Sequence, residues 1–307
     1  MTHTVQVQPD PSPPSRDSKK STNGRSFFAF RSLPFRATRV GVRCLSWVSP
    51  QTAATLAEQV FRTPRRHRRP DREHIWLRAA KPVRVRLGTR HVRAWVWGPD
   101  HGPTTLLVHG WEGRGAQLGA LAEPLVGRGQ RVVAFDAPAH GDSPGRVSSL
   151  PEFIDAIWAV TRHLGSPQAI AAHSFGAAAT IAALREGLAV PRVALVAPPA
   201  DLGDALSRFS QAMGISTGVR ARLEAQLERR FGDLAPIFRL AHAVSHLEAH
   251  GLIVHDLEDR EVPVTEGKVL AERWADDKAR IELTTGLGHR RILRDPQVVA
   301  QIVSFVT

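Results

Sequence analysis

A serine at the end of a buried apolar run is the feature of this sequence best suited to chemistry. Ser174 follows the run AIAAH and precedes FGAAA, so a predicted strand passes through the serine directly into a predicted helix. Such a turn holds the serine in a strained backbone conformation, with its hydroxyl above the sheet and small residues two positions to either side. Ala172 and Gly176 are those residues, which gives the pattern A-x-S-x-G. The pattern predicts Ser174 as a nucleophile.

A serine nucleophile needs a base, and position along the chain selects one of the 14 histidines. His289 lies among glycines in GLGHRRIL, just after the last predicted strand, where an imidazole can reach across the end of the sheet. The acid is expected in the loop after the preceding strand, HDLEDREVP, which contains Asp256, Glu258 and Asp259. Asp256 ends the strand itself. We therefore predict Asp259, three residues further on, as the acid that orients His289.

Acyl transfer also needs hydrogen-bond donors for the negative charge that develops on the carbonyl oxygen. The backbone N–H of Phe175 directly follows the serine, and the N–H of Trp111 lies in VHGWEGR, after an early predicted strand. Each such donor typically lowers the barrier by about 3 kcal/mol. We predict these two amides as the oxyanion hole. The ring of Trp111 is expected either to line the acyl pocket or to pack in the core.

The elements that would position these residues follow from alternating apolar and amphipathic segments. VRVRL and VRAWVW, at 83–87 and 92–97, alternate apolar and polar residues and predict an antiparallel pair at a sheet edge. Buried strands are predicted at 105–110, 131–136, 169–174, 192–198, 252–256 and 280–285. Helices are predicted at 115–127, 149–164, 175–186 and 266–278, with a last helix from Asp295–Pro296 to the C-terminus. This alternation predicts βαβ units and a parallel sheet.

One segment, residues 201–250, interrupts the alternation because it contains no predicted strand. Val219, Leu223, Leu227 and Phe231 recur every fourth residue within it, which is typical of one apolar helix face. We predict a helical insertion that acts as a lid.

Three histidines near the end of this segment are candidate metal ligands. His242, His246 and His250 recur every fourth residue, so a helix would place them on one face, where two could share an ion. No third type of ligand and no H-E-x-x-H pattern accompanies them. A solvated or lid-packing face is therefore favoured over a metal site.

The net charge of +12 belongs to the N-terminal part of the chain. Residues 1–70 contain 13 of the 41 lysines and arginines but only 3 of the 29 acids. We predict a basic, largely disordered leader at 1–70, with one helix at 49–62 and a solvated connector, RRHRR, at 65–69. The catalytic domain is expected at 71–307. A solvated tail is the simpler interpretation of the leader, although its arginine-rich, acid-poor composition is also that of a transit peptide.

Several classes of partner are not expected. Aromatic and basic residues are not interleaved as in single-strand nucleic-acid binders, and no glycine-rich phosphate loop is present. No run reaches the ~18 apolar residues of a membrane span, so only peripheral membrane contact through the leader remains an alternative. The single cysteine, Cys44, excludes an intrachain disulfide, and a cytoplasmic location is expected. The sequence does not predict the oligomeric state.

Five motifs together resemble the α/β-hydrolase superfamily, in particular bacterial cytoplasmic serine hydrolases with HGW after the third strand: VHGWEGR, DAPAHGDSPG, AHSFGAAA, HDLEDREVP and GLGHRRIL. The resemblance covers about residues 82–307. It implies an α/β fold with an eight-stranded, mostly parallel sheet flanked by helices, and a lid between strands six and seven. It also implies the chain order Ser, Asp, His and no cofactor. Ala172 and Ala139 replace glycines that are usual in the family.

The expected reaction is acyl transfer to water. His289 accepts the proton of Ser174 as the hydroxyl attacks a carbonyl, and Asp259 keeps the imidazole oriented. A small-molecule carboxylic ester or thioester is favoured over an amide, by analogy with lidded sites. The alternatives are an acyltransferase that uses the same triad, a non-catalytic binding protein on the same fold, and a hydrolase tethered to membranes by its leader.

Overall fold

The computed structural model describes residues 33–232 and 239–307. The part of the predicted leader at 1–32 lies outside the described residues. The strands are β1 Lys81–Leu87, β2 Arg90–Trp97, β3 Thr104–Val108, β4 Arg131–Phe135, β5 Ala169–His173, β6 Arg192–Val196, β7 His250–Asp256 and β8 Ala279–Thr284. The helices up to β6 are α1 Leu33–Val48, α2 Pro50–Phe61, α3 Asp71–Arg78, α4 Ala122–Val126, α5 Leu150–Leu164 and α6 Phe175–Arg185. The later helices are α7 Gly203–Met213, α8 Thr217–Phe231, α9 Leu240–Ala243, α10 Val264–Arg273, α11 Gly288–Arg291 and α12 Pro296–Val306.

The strands form one eight-stranded sheet in the order β1-β2-β4-β3-β5-β6-β7-β8. β1 pairs antiparallel with β2, and β2 with β4, while every other pair is parallel. The predicted mostly parallel sheet with an antiparallel edge pair is therefore confirmed. Because the carboxyl ends of parallel strands share one edge, the loops after β3, β5, β7 and β8 meet there.

Both faces of the sheet are covered by apolar layers, as expected for parallel strands buried on two sides. Alternate residues of one strand point into different layers: Leu106 packs with α5 and α6, whereas Leu107 packs with α4 and α12. The predicted helix at 115–127 begins instead as a 3₁₀ segment, Gly115–Leu121, and becomes α-helical only in α4.

The helix predicted at 49–62 is α2, with Ser49 capping the N–H of Thr52. It packs against α8, whose apolar face of Val219, Leu223 and Leu227 is fully or almost fully buried. The helices of the insertion thus share a third apolar cluster with α1 and α2. Within the described ranges, no helix is both long and apolar enough to cross a bilayer.

The predicted solvated connector at 65–69 is exposed at three of its five positions, but it also makes contacts that the sequence did not predict. Arg65 pairs with Glu112, and Arg69 lies 3.0 Å from the carboxylate of Asp142. Arg66 donates to the carbonyl oxygens of Ala139 at 3.2 Å and Ser143 at 2.7 Å. We call residues 62–76 the arm, since this segment crosses the two loops that follow β3 and β4.

The three histidines weighed as metal ligands do not share a helix face. His242 lies in α9, His246 in a 3₁₀ turn, and His250 is the first residue of β7. The rings of His242 and His246 pack edge to face at 5.3 Å.

Candidate active site

Ser174 lies at the turn between β5 and α6 in a backbone conformation that an L residue rarely adopts, with φ 52° and ψ −120°. Such a conformation costs on the order of 1–3 kcal/mol and persists only where the surroundings enforce it. The close packing of the turn supplies that constraint: a Cβ added at Gly176 would lie 2.3 Å from the carbonyl oxygen of His109. The small residue after the serine is therefore a steric requirement.

Ser174, His289 and Asp259 are joined by two hydrogen bonds. His289 Nε2 lies 2.9 Å from Ser174 Oγ, and His289 Nδ1 lies 2.7 Å from Asp259 Oδ2. An ionised carboxylate only accepts, so Nδ1 carries the proton and Nε2 is left to accept from the serine hydroxyl. All three side chains are buried. The structure thus brings together the three residues that the sequence selected.

Asp259 is held ionised by its surroundings. Burial alone would raise the pKa of its carboxyl, but contacts with His255 and His289 and the N–H of Val262 together lower that pKa well below its usual range. The second oxygen, Oδ1, accepts from the N–H groups of Glu261 at 2.8 Å and Val262 at 3.0 Å. The carboxylate is therefore fixed in direction by its own loop.

The two neighbouring acids are placed differently. Asp256 accepts from the hydroxyl of Thr284 at 2.7 Å and from the N–H of Leu287 at 3.0 Å, so it ties the end of β7 to the loop that carries His289. Burial opposes ionisation of Asp256, but these hydrogen bonds keep its pKa below the usual range. Glu258 is exposed. Sequence reasoning set Asp256 aside as a strand end and missed its role in the loop.

His173, the residue before the nucleophile, is a second residue that the sequence analysis missed. Its Nε2 donates to the carbonyl oxygen of His289 at 2.9 Å, and the two rings lie 4.6 Å apart. Burial and the neighbouring His289 hold the pKa of His173 well below its usual value, so the ring is neutral. The sequence does contain an indication of this role, since His173 is a polar residue at the end of an otherwise apolar strand.

The turn after β3 packs directly against the serine. A Cβ added at Gly110 would lie 3.1 Å from Ser174 Cβ, so this turn and the nucleophile are as close as backbone allows. Within the described part of the chain, the N–H groups of Trp111 and Phe175 have no acceptor. Their rings pack edge to face at 5.2 Å. The Trp111 ring also stacks on Phe153, and Trp111 is among the residues that line the cavity beside Ser174.

His109 fixes that turn through a defined tautomer. The N–H of Ala137 donates to His109 Nε2 at 2.9 Å, so Nδ1 carries the proton and donates to the carbonyl oxygen of Gly110 at 2.7 Å. Burial lowers the pKa of His109 to about 4. The histidine of the HGW motif therefore links the loops after β3 and β4 as a neutral ring.

The two charged residues of the HGWEGR loop pair with the arm. Glu112, with φ 56°, accepts from Arg65 Nε at 2.8 Å and Nη2 at 2.9 Å. Arg114 is buried and makes a two-pronged contact with Glu73. Paired hydrogen bonds of this kind fix orientation as well as adding energy. The arm therefore clamps the loop that contains Trp111.

The loop after β4 is organised by Asp136 and contains one of the departures from the family pattern. Asp136 accepts from the N–H groups of Gly115 at 2.7 Å and Asp142 at 2.6 Å, while burial raises its pKa to about 7. Ala139 adopts φ 65°, a region that favours glycine. The alanine thus keeps the loop geometry at some conformational cost.

A cavity of about 300 Å³ opens beside Ser174 and His289. Its other described lining residues come from the arm, from the loop and 3₁₀ segment after β3, and from the segments around Glu261 and Arg290. The described helices of the insertion, α7, α8 and α9, contribute none of these lining residues. The sequence did not predict that the arm would form part of the cavity wall.

Residues 105–302 match the alpha/beta hydrolase family. A curated relative, the dihydrolipoyllysine-residue acetyltransferase component of the acetoin cleaving system of Pseudomonas putida, is 29% identical over 163 residues, which are 52% of this chain and 43% of that protein. The chain spans less than half the length of the curated relatives it matches.

Two solved structures share the fold at low sequence identity. The thioesterase domain of the curacin biosynthetic pathway has a TM-score of 0.57 at 18% identity, over 74% of this chain and 99% of that one. The esterase RhEst1 from Rhodococcus sp. ECU1013 has a TM-score of 0.55 at 19% identity, over 74% and 98%.

Proposed function

Since the chain belongs to the alpha/beta hydrolase family, we propose that it is a serine hydrolase that cleaves a carboxylic ester or thioester through an acyl-enzyme. The observation that carries the proposal is the line of two hydrogen bonds from Asp259 through His289 to Ser174. The strained conformation of Ser174 adds support, because strain at a polar residue is characteristic of functional sites.

The proposed first step is attack of Ser174 Oγ on the carbonyl carbon, with its proton passing to His289 Nε2. Asp259 remains ionised and stabilises the imidazolium through Nδ1. The carbonyl oxygen becomes an oxyanion that accepts from the N–H groups of Trp111 and Phe175. On collapse, the carbon–oxygen or carbon–sulfur bond breaks, and the leaving group receives the proton from His289.

In the second half of the reaction, water takes the place of the leaving group. His289 accepts a proton from the water as its oxygen attacks the acyl-enzyme, and then returns it to Ser174 Oγ as the acid is released. The two halves together consume one water and leave the protein unchanged.

The test is covalent labelling with a fluorophosphonate, followed by turnover of p-nitrophenyl esters of rising acyl length. We expect a single labelled residue, Ser174, with both labelling and turnover abolished in Ser174→Ala. Ser210→Ala removes another buried serine, on α7 outside the site, and should retain both activities. Labelling that persists in Ser174→Ala would contradict the proposal. Absence of labelling in the folded wild type would favour a non-catalytic binding protein.

Acyl transfer to an acceptor other than water is a second candidate, favoured by one observation. A curated relative is named as an acetyltransferase component, although it matches only 52% of this chain. Adding a thiol or alcohol during ester turnover separates the two candidates. A hydrolase gives free acid in proportion to ester consumed, whereas a transferase diverts most of the acyl group to the acceptor at millimolar concentration.

A further inference from the structure

The cavity beside Ser174 is lined by more positive than negative side chains. Its described arginines are Arg68, Arg72, Arg114, Arg290 and Arg294, and its acids are Glu73, Glu112 and Glu261. An anion can be attracted to this cavity only by arginines whose charges are not already neutralised by a neighbouring acid.

Each acid of the cavity has its own arginine partner. Glu73 contacts Arg114 and Glu112 contacts Arg65, both through two hydrogen bonds. Glu261 accepts from Arg290 at 3.0 and 3.2 Å. The acids that line the cavity are therefore committed to these pairs.

Three arginines remain after this pairing. Arg68 and Arg72 come from the arm and Arg294 from the turn before α12, so they converge on the cavity from two segments far apart in sequence. Over residues 33–232 and 239–307, none of the three has an ion-pair partner. All three are exposed, so their positive charges face solvent at the mouth of the cavity.

We propose that Arg68, Arg72 and Arg294 form an anion subsite that selects substrates bearing a carboxylate or phosphate group. The inference rests on the proposed function, since the anion is carried by the ester or thioester that Ser174 attacks. Guanidinium groups match the geometry of carboxylates and phosphates and donate up to two parallel hydrogen bonds to them. Ser174 and these three arginines line the same cavity of about 300 Å³, so one small substrate in it would lie beside both.

The experiment compares three butyrate esters that differ only in the para substituent of the phenol. 4-Butyryloxybenzoate carries a carboxylate, 4-butyryloxyphenyl phosphate carries a phosphate, and 4-butyryloxybenzamide is the neutral control. We expect kcat/KM of the full-length protein to favour at least one anion over the neutral ester by about tenfold at low salt, equivalent to about 1.4 kcal/mol. The more favoured anion identifies the group. In 0.5 M NaCl the preference should shrink, because exposed charges are screened.

Variants assign the preference to the three arginines. Arg68→Ala, Arg72→Ala and Arg294→Ala should each lower the anionic-to-neutral ratio about two- to threefold, and the triple variant should remove it. Arg84→Ala is the matched control, since Arg84 is an exposed arginine on β1 that does not line the cavity. It should retain the wild-type ratio. A single variant that fails to fold leaves the other two to decide.

A binding measurement keeps this inference separate from the proposed chemistry. Calorimetry with the uncleaved amides 4-butyramidobenzoate and 4-butyramidobenzamide should show tighter binding of the anion, and loss of that difference in the triple variant. If neutral esters are hydrolysed but the wild type has no anion preference in rate or binding, the subsite is wrong and the hydrolase stands. If Ser174 is neither labelled nor active while the anion still binds more tightly, the hydrolase is wrong and the subsite stands.

Discussion

Three carboxylates lie within four residues at the end of β7, and their hydrogen-bond partners give them different roles. Asp259 contacts His289, Asp256 holds the loop that carries His289, and Glu258 faces solvent. Sequence position alone left all three within reach of the imidazole.

Asp259→Asn should lower kcat by about 10⁴, since the equivalent change in the triad of a serine protease has an effect of that size. The amide can no longer fix the imidazole tautomer or stabilise its cation. Asp256→Asn should cost about 1–3 kcal/mol of unfolding free energy, because buried donors lose a charged acceptor, with a smaller effect on kcat. Glu258→Gln should resemble the wild type.

Ester turnover and urea unfolding of the same three variants separate catalysis from stability. A larger fall in kcat for folded Asp256→Asn than for Asp259→Asn would reassign the acid. Such a result would leave the roles of Ser174 and His289 untouched.

At this scale, the sequence predicted the residues whose chemistry is recognisable from type and position. Ser174, His289 and Asp259 each follow a strand, which places them at one edge of a parallel sheet. Asp256 and His173 were not predicted, because each contacts a backbone group of the His289 loop and these contacts depend on how that loop folds.

Among the elements, the arm has the greatest influence on the site. Arg65 and Glu112 are 47 residues apart, and Arg66 and Ser143 are 77 apart. No local pattern in RRHRR indicates partners so far away in sequence. The sequence of this run alone therefore predicts only a solvated connector. The strands and helices that the sequence predicts, which depend on local periodicity, lie within a few residues of their predicted positions. The helices α1 and α3 were not predicted, and α1 departs from the largely disordered leader expected at 1–70.

Arg65→Ala should lower the unfolding free energy by about 2 kcal/mol and reduce kcat, because Glu112 would stay buried without its arginine. The ring of His67, 3.5 Å from Glu112 Oε2, would be its remaining partner. This loss of unfolding free energy is smaller than that expected for a fully buried pair, since the Arg65 side chain is 39% exposed. The double variant Arg65→Ala/Glu112→Gln should recover part of the lost stability by removing the unpaired charge.

Chemical denaturation and ester turnover of the two variants check this prediction. A double variant less stable than Arg65→Ala would show that the pair is not the source of the loss. Arg84→Ala controls for removal of an exposed arginine elsewhere.

The described part of 201–250 contains the helices α7, α8 and α9, and the role of this segment as a lid remains a proposal. Leu223 is fully buried between α8 and α2, so Leu223→Ala should cost about 2–5 kcal/mol. If the insertion shapes substrate choice, the variant should also alter the acyl-length profile for p-nitrophenyl esters. Leu257→Ala, at a leucine that is 48% exposed, is the control. An unchanged profile in folded Leu223→Ala would count against a lid.

At the scale of the whole molecule, buried histidines should govern the response to acid. His109, His140 and His173 are buried, and burial lowers the pKa of each below its unfolded value of about 6.5. Between about pH 6.5 and 4 the unfolded chain binds more protons at these sites than the native protein does, so stability falls as pH falls. Asp136 acts in the opposite direction, because its raised pKa lets the native protein hold a proton up to about pH 7.

The three deeply buried histidines with a lowered pKa outnumber the one deeply buried carboxyl with a raised pKa, which predicts a net loss of stability on acidification below pH 6.5. Burial also raises the pKa of Asp155 and of Glu266, and this reduces the loss without reversing it. Urea unfolding at half-unit steps from pH 7 to 5 measures it. Asp136→Asn removes the carboxyl that stabilises the native protein as pH falls, so the unfolding free energy should fall more steeply with pH in this variant. Stability that is constant or rises toward pH 5 in the wild type would contradict the prediction.

The sheet, its order of elements and the edge that holds the site were all within reach of sequence reasoning, because apolar periodicity repeats along the whole chain. The wall of the cavity could not be predicted from the sequence in this way. It depends on where the arm lies, and the charges of the arm gave no indication of the loops they contact.

The two small residues around Ser174 differ in how strictly the structure demands them. A Cβ is present at Ala172 in a fully buried strand, whereas one at Gly176 would collide with the carbonyl oxygen of His109. A genome-wide search written as G-x-S-x-G would therefore discard this chain, although the turn at Ser174 has room for the alanine. A pattern that admits alanine before the serine and insists on glycine after it follows the steric constraint, and would recover chains that the stricter pattern leaves unclassified.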